Sequence, residues 1–275
     1  MNDIISEVRN QFLEISAKNG NLFEAIDVER VRSNEFAVKR FVLWNNYDLN
    51  KSVKQLVEAM KWRKDNAING LTAQDIPREF FLAGALYKAG KSKDGLSVVY
   101  FRAKTVLKIK KLEPMIQLMT TYMINTLDME LNGKGALVVA DMSGLTMKNS
   151  NLSLLQFVID LFRKYYPMSV QSMIVYNNPW YLRVFEPVVK GWLSESEQQL
   201  LRFASGDELF DYIDKSDVRK YLFGETDDQF VDLPEKCRPL EELANNYGIN
   251  DKEVKKYLSQ YQSIIEEGKQ LLNFP

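Results

Sequence analysis

Apolar side chains recur at helical spacing along the first 70 residues of the chain. Residues 4–15, 36–44 and 53–60 each carry such a stripe, and this spacing is typical of helices that bury one face. Asn34 and Asp48 precede the second and third stripes, and both residue types are favoured helix N-caps. The pattern therefore predicts a small helical bundle in this region.

After residue 70 the pattern changes to short apolar strands that alternate with amphipathic helices. Predicted strands cover residues 96–102, 135–141, 170–176 and 200–204, and predicted helices cover residues 112–131, 151–164 and 180–192. This alternation favours an α/β fold with crossover helices and a mixed, mostly parallel sheet. A charged stretch with Pro234 and Pro239 predicts a linker before a last helix over residues 251–272. The predicted domains are a helical bundle (1–70), an α/β domain (71–224), and a linker with a C-terminal helix (225–275).

Composition excludes several classes of chemistry. The chain has 36 Lys and Arg against 37 Asp and Glu, so no net field attracts nucleic acid, and no nucleic-acid partner is expected. It contains no histidine and a single cysteine, Cys237, which removes histidine-based nucleophile systems and thiolate metal centres. We therefore predict no catalytic residues, no metal ligands and no cofactor.

Short motifs occur in a fixed order along the chain. They are Arg40-Phe41-Val42-Leu43-Trp44, Tyr47-Asp48-Leu49-Asn50-Lys51, Lys61-Trp62-Arg63-Lys64, Lys93-Asp94-Gly95, Asp141-Met142-Ser143-Gly144, Tyr165-Tyr166-Pro167, Asn177-Asn178-Pro179-Trp180 and Trp192-Leu193. As an ordered set covering most of residues 25–224, they resemble the CRAL-TRIO lipid-binding family. Within that family, Phe203 after a basic residue and the Trp192-Leu193 pair are most similar to the lipid-binding domain of motile sperm domain-containing protein 2.

The resemblance implies a CRAL-TRIO fold in which a sheet floor and a mobile gate helix enclose an apolar cavity for one lipid. The residues expected to line the lipid site are Val99, Tyr122, Ala136, Val138, Phe157, Leu161, Ile174, Tyr176, Trp180, Val184, Phe185, Val188 and Trp192. Arg183, Lys190 and Trp192 are expected to contact the membrane. On a helix that starts at Trp180, the stripe from Trp180 to Trp192 can face a cavity or a bilayer surface.

The function implied by the resemblance is non-enzymatic binding of a lipid or another hydrophobic small molecule, and its transfer at a transient membrane surface. Such a protein is expected in the cytoplasm, in peripheral association with membranes. An alternative is a protein-interaction module with a vestigial cavity, whose C-terminal helix contacts a protein partner. A nucleotide hydrolase is disfavoured, because Ala85 replaces the first glycine of a phosphate-binding loop and Gly90 precedes a strand instead of a helix.

Three departures from the family pattern restrict the ligand and the gate. Met168 and Leu200 stand where phosphoinositide-binding members carry a charged pair, which argues against that ligand. Ala136, Val138 and Ala140 stand where phosphatidylcholine-binding members place hydroxyls. A weakly polar ligand is expected, such as a sterol, an isoprenoid, a fatty acid or a diacyl chain, or else a head group that projects through the mouth. Pro187 predicts a break in the gate helix near residues 183–186.

Overall fold

The chain is described by a computed structural model over residues 2–106, 109–147 and 150–273. Its α-helices are α1 (Asn2–Lys18), α2 (Ala25–Ser33), α3 (Phe36–Trp44), α4 (Leu49–Asp65), α5 (Arg78–Leu82), α6 (Glu113–Leu131), α7 (Leu152–Lys164), α8 (Glu186–Trp192), α9 (Glu195–Gln198), α10 (Leu240–Ala244) and α11 (Asp251–Leu272). Its strands are β1 (Leu86–Lys91), β2 (Ser97–Arg102), β3 (Ala136–Asp141), β4 (Val170–Tyr176) and β5 (Leu201–Ala204). The predicted α/β fold with a helical N-terminal region is confirmed.

The structure divides into two compact units, and two of the boundaries between them fall inside α6 and α7. The first unit comprises the described part of residues 1–71 together with residues 120–135 and 155–170. The second unit comprises residues 72–119 and 136–154 and the described part of residues 171–275. The three consecutive domains that the sequence predicts stay a prediction.

The first unit is helical, and its core consists of the apolar stripes seen in the sequence. Val8, Phe12, Val38 and Leu56 are completely buried in one cluster. The predicted capping is also present, because the Asp48 side chain accepts a hydrogen bond from the Lys51 backbone N–H at 3.0 Å. Local capping and periodic apolar residues therefore define these helices.

The second unit is built on a five-stranded sheet with the strand order β1-β2-β3-β4-β5. Strands β1 and β2 pair antiparallel, whereas β2 with β3 and β4 with β5 pair parallel. The turn between β1 and β2 uses Gly95 at a φ of 80°, a left-handed conformation that glycine adopts without steric cost. Strand β1 was not predicted as a separate element.

The C-terminal region belongs to the second unit and supplies part of its core. Phe230, Tyr261 and Ile265 are buried in the same cluster as the sheet residues. Helix α11 also approaches α5 closely, because a Cβ added at Gly268 would lie 2.0 Å from the Leu82 carbonyl oxygen. The apolar stripe of this helix thus packs against the second unit's own core. A contact of α11 with a protein partner stays a prediction, and it would have to use the polar side of the helix.

The predicted gate helix is two elements instead of one. Residues Trp180–Phe185 form a 3₁₀ segment, and α8 begins at Glu186. Pro187 lies in the first turn of α8, where a proline is tolerated because its missing N–H would have no intrahelical partner. The break falls within the region that the sequence predicted, and residues 180–192 are called the gate segment below.

Candidate functional site

The two faces of the sheet in the second unit differ in their packing. The packed face carries Val98, Tyr100, Leu137, Val139, Ile174 and Tyr176, all of which are buried in one core with the C-terminal region. Because successive side chains of a strand point to opposite faces, the intervening residues form a second, accessible face. The accessible face carries Val99, Phe101, Ala136, Val138, Ala140, Met173 and Val175, with Val99 opposite Val138 and Phe101 opposite Ala140. Val99 and Ala136 are buried within it, and the polar Lys88, Ser97 and Gln171 lie on the same face toward its margin.

The centre of the accessible face is apolar and yet reachable by solvent. Phe101, Val138, Ala140, Met173 and Val175 are all only partly buried, and none of these side chains carries an oxygen or nitrogen atom. Apolar surface that stays in contact with water costs free energy, at about 25 cal/mol for each Å². This face can therefore gain stabilisation from an apolar ligand, whereas the packed face is already filled by the protein.

Two of the residues predicted to contact lipid lie on the packed face. Ile174 and Tyr176 are completely buried, and the Tyr176 hydroxyl donates a hydrogen bond to the Gly206 carbonyl oxygen at 3.0 Å. We therefore replace them in the candidate site by Met173 and Val175 of the same strand. The sequence prediction had chosen the other alternation for β4, and a shift of one residue exchanges the two faces of a strand.

Three further predicted residues belong to the first unit. Leu161 is buried, while Tyr122 and Phe157 are partly buried. Leu161 and Phe157 pack in a cluster with Tyr166 and Ile124. Nothing in this packing tests their role toward a lipid, and it stays a prediction.

The gate segment presents three apolar side chains to solvent. Trp180 is 79% exposed, Val184 is 64% exposed and Val188 is 46% exposed. Isolated exposed apolar residues are ordinary, but a contiguous group of them marks an interaction surface. Phe185 instead turns inward and packs in a small cluster with the buried Leu182.

Hydrogen bonds connect the gate segment to the neighbouring loops. The Tyr181 hydroxyl donates to the Leu145 carbonyl oxygen at 2.7 Å, and the Asn178 side-chain amide donates to the Glu186 carboxylate at 3.0 Å. The sequence had indicated Asn177-Asn178-Pro179-Trp180 as a motif, and these bonds give it a physical role in fixing the start of the segment. The Tyr181–Leu145 contact had no signal in the sequence, because the two residues are remote along the chain.

The residues predicted to contact a membrane lie on or beside this surface. Arg183 and Lys190 are exposed, and Trp192 is partly buried. The Lys190 ammonium lies 5.5 Å from the centre of the Phe203 ring, and Phe203 is itself 46% exposed. Cations beside exposed aromatic rings are favourable at the boundary between water and lipid head groups.

The Tyr165-Tyr166-Pro167 motif has a structural role in the first unit. The Tyr165 ring stacks on Trp62 with centroids 4.0 Å apart, and the Pro167 carbonyl accepts a hydrogen bond from Arg40 at 2.8 Å. Burial raises the pKa of the Tyr166 hydroxyl to about 12. These contacts are those of a packed corner, and they involve no acid–base chemistry near neutral pH.

Neither a metal centre nor a membrane span emerges from the described residues. Over residues 2–106, 109–147 and 150–273, no group of three or more Cys, Asp or Glu side chains is placed to hold a metal ion. Within the same ranges, every helix is too short or too polar to cross a bilayer.

Comparison with known proteins identifies the fold and the family. The crystal structure of Sfh5 superposes with a TM-score of 0.63 at 16% identity, covering 95% of this chain and 98% of that chain. A likeness at this identity shows the fold alone. It agrees with the mixed sheet and the helical N-terminal region described above.

Sequence relatives give a consistent result. A CRAL-TRIO domain-containing protein of Schizosaccharomyces pombe is 24% identical over 220 residues, which are 75% of this chain and 49% of that protein. The phosphatidylinositol transfer protein CSR1 of Eremothecium gossypii is 23% identical over 168 residues, which are 56% of this chain and 38% of that protein. The chain thus spans half or less of the length of these two relatives. The model of the CRAL/TRIO domain matches residues 83–224, more than half of the chain, and the chain therefore belongs to the CRAL/TRIO domain family.

Proposed function

We propose that this protein binds one lipid-like molecule against the accessible face of its sheet and exchanges it with membranes through the gate segment. The observation that carries the proposal is the contrast between the two faces of the sheet. One face is sealed by the protein's own core, and the centre of the other carries the apolar side chains of Phe101, Val138, Ala140, Met173 and Val175, which solvent still reaches. Such a surface gains free energy when an apolar ligand covers it.

The gate segment supports the membrane step of this proposal. Trp180, Val184 and Val188 project into solvent, with the cationic Arg183 and Lys190 on the same segment. This combination suits shallow insertion into a bilayer surface, because apolar rings enter the interface while the cations stay near the lipid head groups. The proposed localisation is therefore the cytoplasm, with peripheral association to membranes.

The proposed ligand is weakly polar. One relative is named a phosphatidylinositol transfer protein, which supports lipid transfer as the general activity. Met168 and Leu200 carry no charge for a phosphoinositide head group, and the side chains of Val138 and Ala140 and of their neighbours Val99 and Phe101 offer no hydrogen-bonding atom. A buried polar head group without partners costs about 1–3 kcal/mol for each unmet group. A sterol, an isoprenoid, a fatty acid or a diacyl chain fits this face better.

We further propose a carrier role without catalysis, because the chain contains no histidine and a single cysteine. Within the family, the similarity to the lipid-binding domain of motile sperm domain-containing protein 2 stays a prediction that rests on Trp192-Leu193 and Phe203. An interaction module remains the alternative class, and the experiment below separates the two.

The test is native mass spectrometry of the purified protein, followed by extraction and identification of the bound lipid. The variant Ala140→Phe places a ring on the accessible face, whereas Ala17→Phe places the same ring on the exposed side of α1. We expect a stoichiometric lipid on the wild-type protein and on Ala17→Phe, and a large loss of lipid from Ala140→Phe.

Two results would contradict the proposal. Lipid occupancy that is unchanged in a folded Ala140→Phe variant would show that the accessible face is not the site. A wild-type protein that is empty and takes up no lipid from vesicles would favour the interaction module.

A further inference from the structure

A cleft of about 60 Å³ opens in the first unit, beside α2, α3 and the end of α6. A single buried water needs about 10–15 Å³ by this kind of measure, so the cleft has room for a small polyatomic ion. Arg30, Arg40 and Arg63 all line it. Its rim is exposed at Met129 and Asn132, so a solute can reach it from water.

Positive charge exceeds negative charge around this cleft. Arg40 makes two hydrogen bonds with the Asp128 carboxylate, at 2.8 and 2.9 Å. Arg63 contacts Asp27 at 2.8 Å, and Arg30 contacts the same Asp27 carboxylate. Three guanidinium groups thus share two contacting carboxylates, and the Glu24 carboxylate reaches the cluster only through the Asn69 amide, which donates to both Glu24 and Asp27. An anion is the ligand that such a cluster of guanidinium groups favours.

Arg30 has no carboxylate of its own, because it shares Asp27 with Arg63. A guanidinium has five N–H donors, and Arg30 directs one to Asp27 and one to the Met129 thioether sulfur. Its other three N–H groups find no acceptor within the described part of the chain. Burial, followed by the positive charge of Arg63, lowers the pKa of Arg30. Sulfur is a weak acceptor, so an oxyanion would be a much better partner for this side chain.

Two asparagines add uncharged donors at the rim. The Asn34 side-chain amide donates to the Asn132 side-chain oxygen at 3.1 Å, while the Asn132 amide N–H groups have no acceptor among the residues that the structure describes. The end of α6 approaches α3 closely here, because a Cβ added at Gly133 would lie 2.2 Å from the Phe36 ring. Glycine at this position lets the Phe36 ring form one wall of the cleft.

We propose that this cleft binds a tetrahedral oxyanion of the phosphate class, with Arg30 and Asn132 as its principal donors. The oxyanion is either free in solution or part of a phosphomonoester lipid head group. The site belongs to the helical unit and is independent of the lipid site proposed for the sheet. Occupancy by an anion would also stabilise the first unit, because a ligand that binds only the folded state shifts the unfolding equilibrium.

The experiment is calorimetric titration of inorganic phosphate into the full chain at constant ionic strength. The variants are Arg30→Gln and Asn132→Asp, and the control is Arg32→Gln, which removes an exposed arginine of the same helix. We expect each variant to weaken phosphate binding about tenfold or more, since Arg30→Gln loses a charged hydrogen-bond donor and Asn132→Asp replaces a donor with a carboxylate that repels the anion. Arg32→Gln should stay within about twofold, because exposed charges at a distance are screened.

A second arm distinguishes the two sources of the oxyanion. Phosphatidylcholine vesicles with and without phosphatidic acid are compared for binding to the same variants. Arg30-dependent binding to phosphatidic acid vesicles that exceeds the response to free phosphate would identify a lipid head group as the ligand.

The proposal is overturned if neither probe depends on Arg30, or if Arg32→Gln loses as much binding as Arg30→Gln. Should Arg30→Gln fail to fold, Asn132→Asp decides the question. Asn132 is exposed and has a φ of 42°, a conformation that aspartate also tolerates.

Discussion

Replacing Trp180 by alanine tests whether the gate segment contacts membranes. A tryptophan side chain buries about 150–250 Å² when it is covered, and Trp180 is 79% exposed in the folded protein, so about 120–200 Å² can enter a lipid surface. At about 25 cal/mol for each Å², full transfer would contribute about 3–5 kcal/mol, and insertion to half depth about 1.5–2.5 kcal/mol. Because about 1.4 kcal/mol corresponds to a tenfold change, Trp180→Ala should weaken membrane binding about 10- to 60-fold.

The assay is co-sedimentation with phosphatidylcholine vesicles over a range of lipid concentrations. Phe223→Ala is a matched control, because Phe223 is an exposed aromatic residue outside the gate segment, at 65% exposure. Trp180→Ala should fold normally, since substitutions at exposed positions usually change stability by less than about 0.5 kcal/mol. A loss of binding below about threefold, or an equal loss for Phe223→Ala, would refute the assignment of this surface to membrane contact.

Three further results are expected, two from unfolding in urea and one from unfolding as a function of pH. The free energy of unfolding should fall by about 3–5 kcal/mol in Asp128→Ala, because the buried Arg40 loses its partner. It should fall by less than about 1 kcal/mol in Asp160→Ala, which removes a solvent-exposed ion pair. Burial opposes ionisation of Asp128, but the charge and hydrogen bonds of Arg40 outweigh this effect and lower the pKa of Asp128. The ionised Asp128 therefore stabilises the fold near neutral pH, and this stabilisation is lost as the pH falls below the usual carboxyl range. The acid unfolding profile of Asp128→Ala should lack this loss. Gly268→Ala should lower the free energy of unfolding by about 1–3 kcal/mol, because the new Cβ would collide with the Leu82 carbonyl oxygen. Gly191→Ala meets open space, so it should leave the free energy of unfolding unchanged or raise it by up to about 1 kcal/mol. Equal effects within either pair of variants would contradict the packing that distinguishes them.

Local chemistry was sufficient to predict most secondary structure. The predicted last helix coincides with α11, Asp251–Leu272, because Asn250 caps it and its apolar residues recur at helical spacing. The break in the gate segment followed from Pro187 alone, since proline fits only the first turn of a helix. The Lys93-Asp94-Gly95 turn likewise required nothing beyond the conformational freedom of Gly95. Each of these features depends on interactions within a few residues of the chain.

The candidate site could be predicted only in part, because its composition depends on which side of an element meets the core. In β4 the residues alternate between two faces, and each alternation combines apolar residues with a polar one, Ser172 on one face and Gln171 on the other. The core cluster around Ile174 and Tyr176 decided that Met173 and Val175 face the accessible side. Contacts between remote residues, such as Tyr181 with Leu145, left no local signal that a sequence could show.

The sequence by itself determined most of the elements, the family resemblance and the lack of histidine chemistry, because these depend on residue types and their local order. The tertiary structure decided where the surfaces of those elements go. It buried the apolar stripe of α11 within the chain and turned Trp180 toward solvent. It also brought Arg30 beside Arg63, so that both guanidinium groups share the Asp27 carboxylate. The physical reason is that burial and charge compensation are properties of the whole packed chain, set by residues that are far apart in sequence.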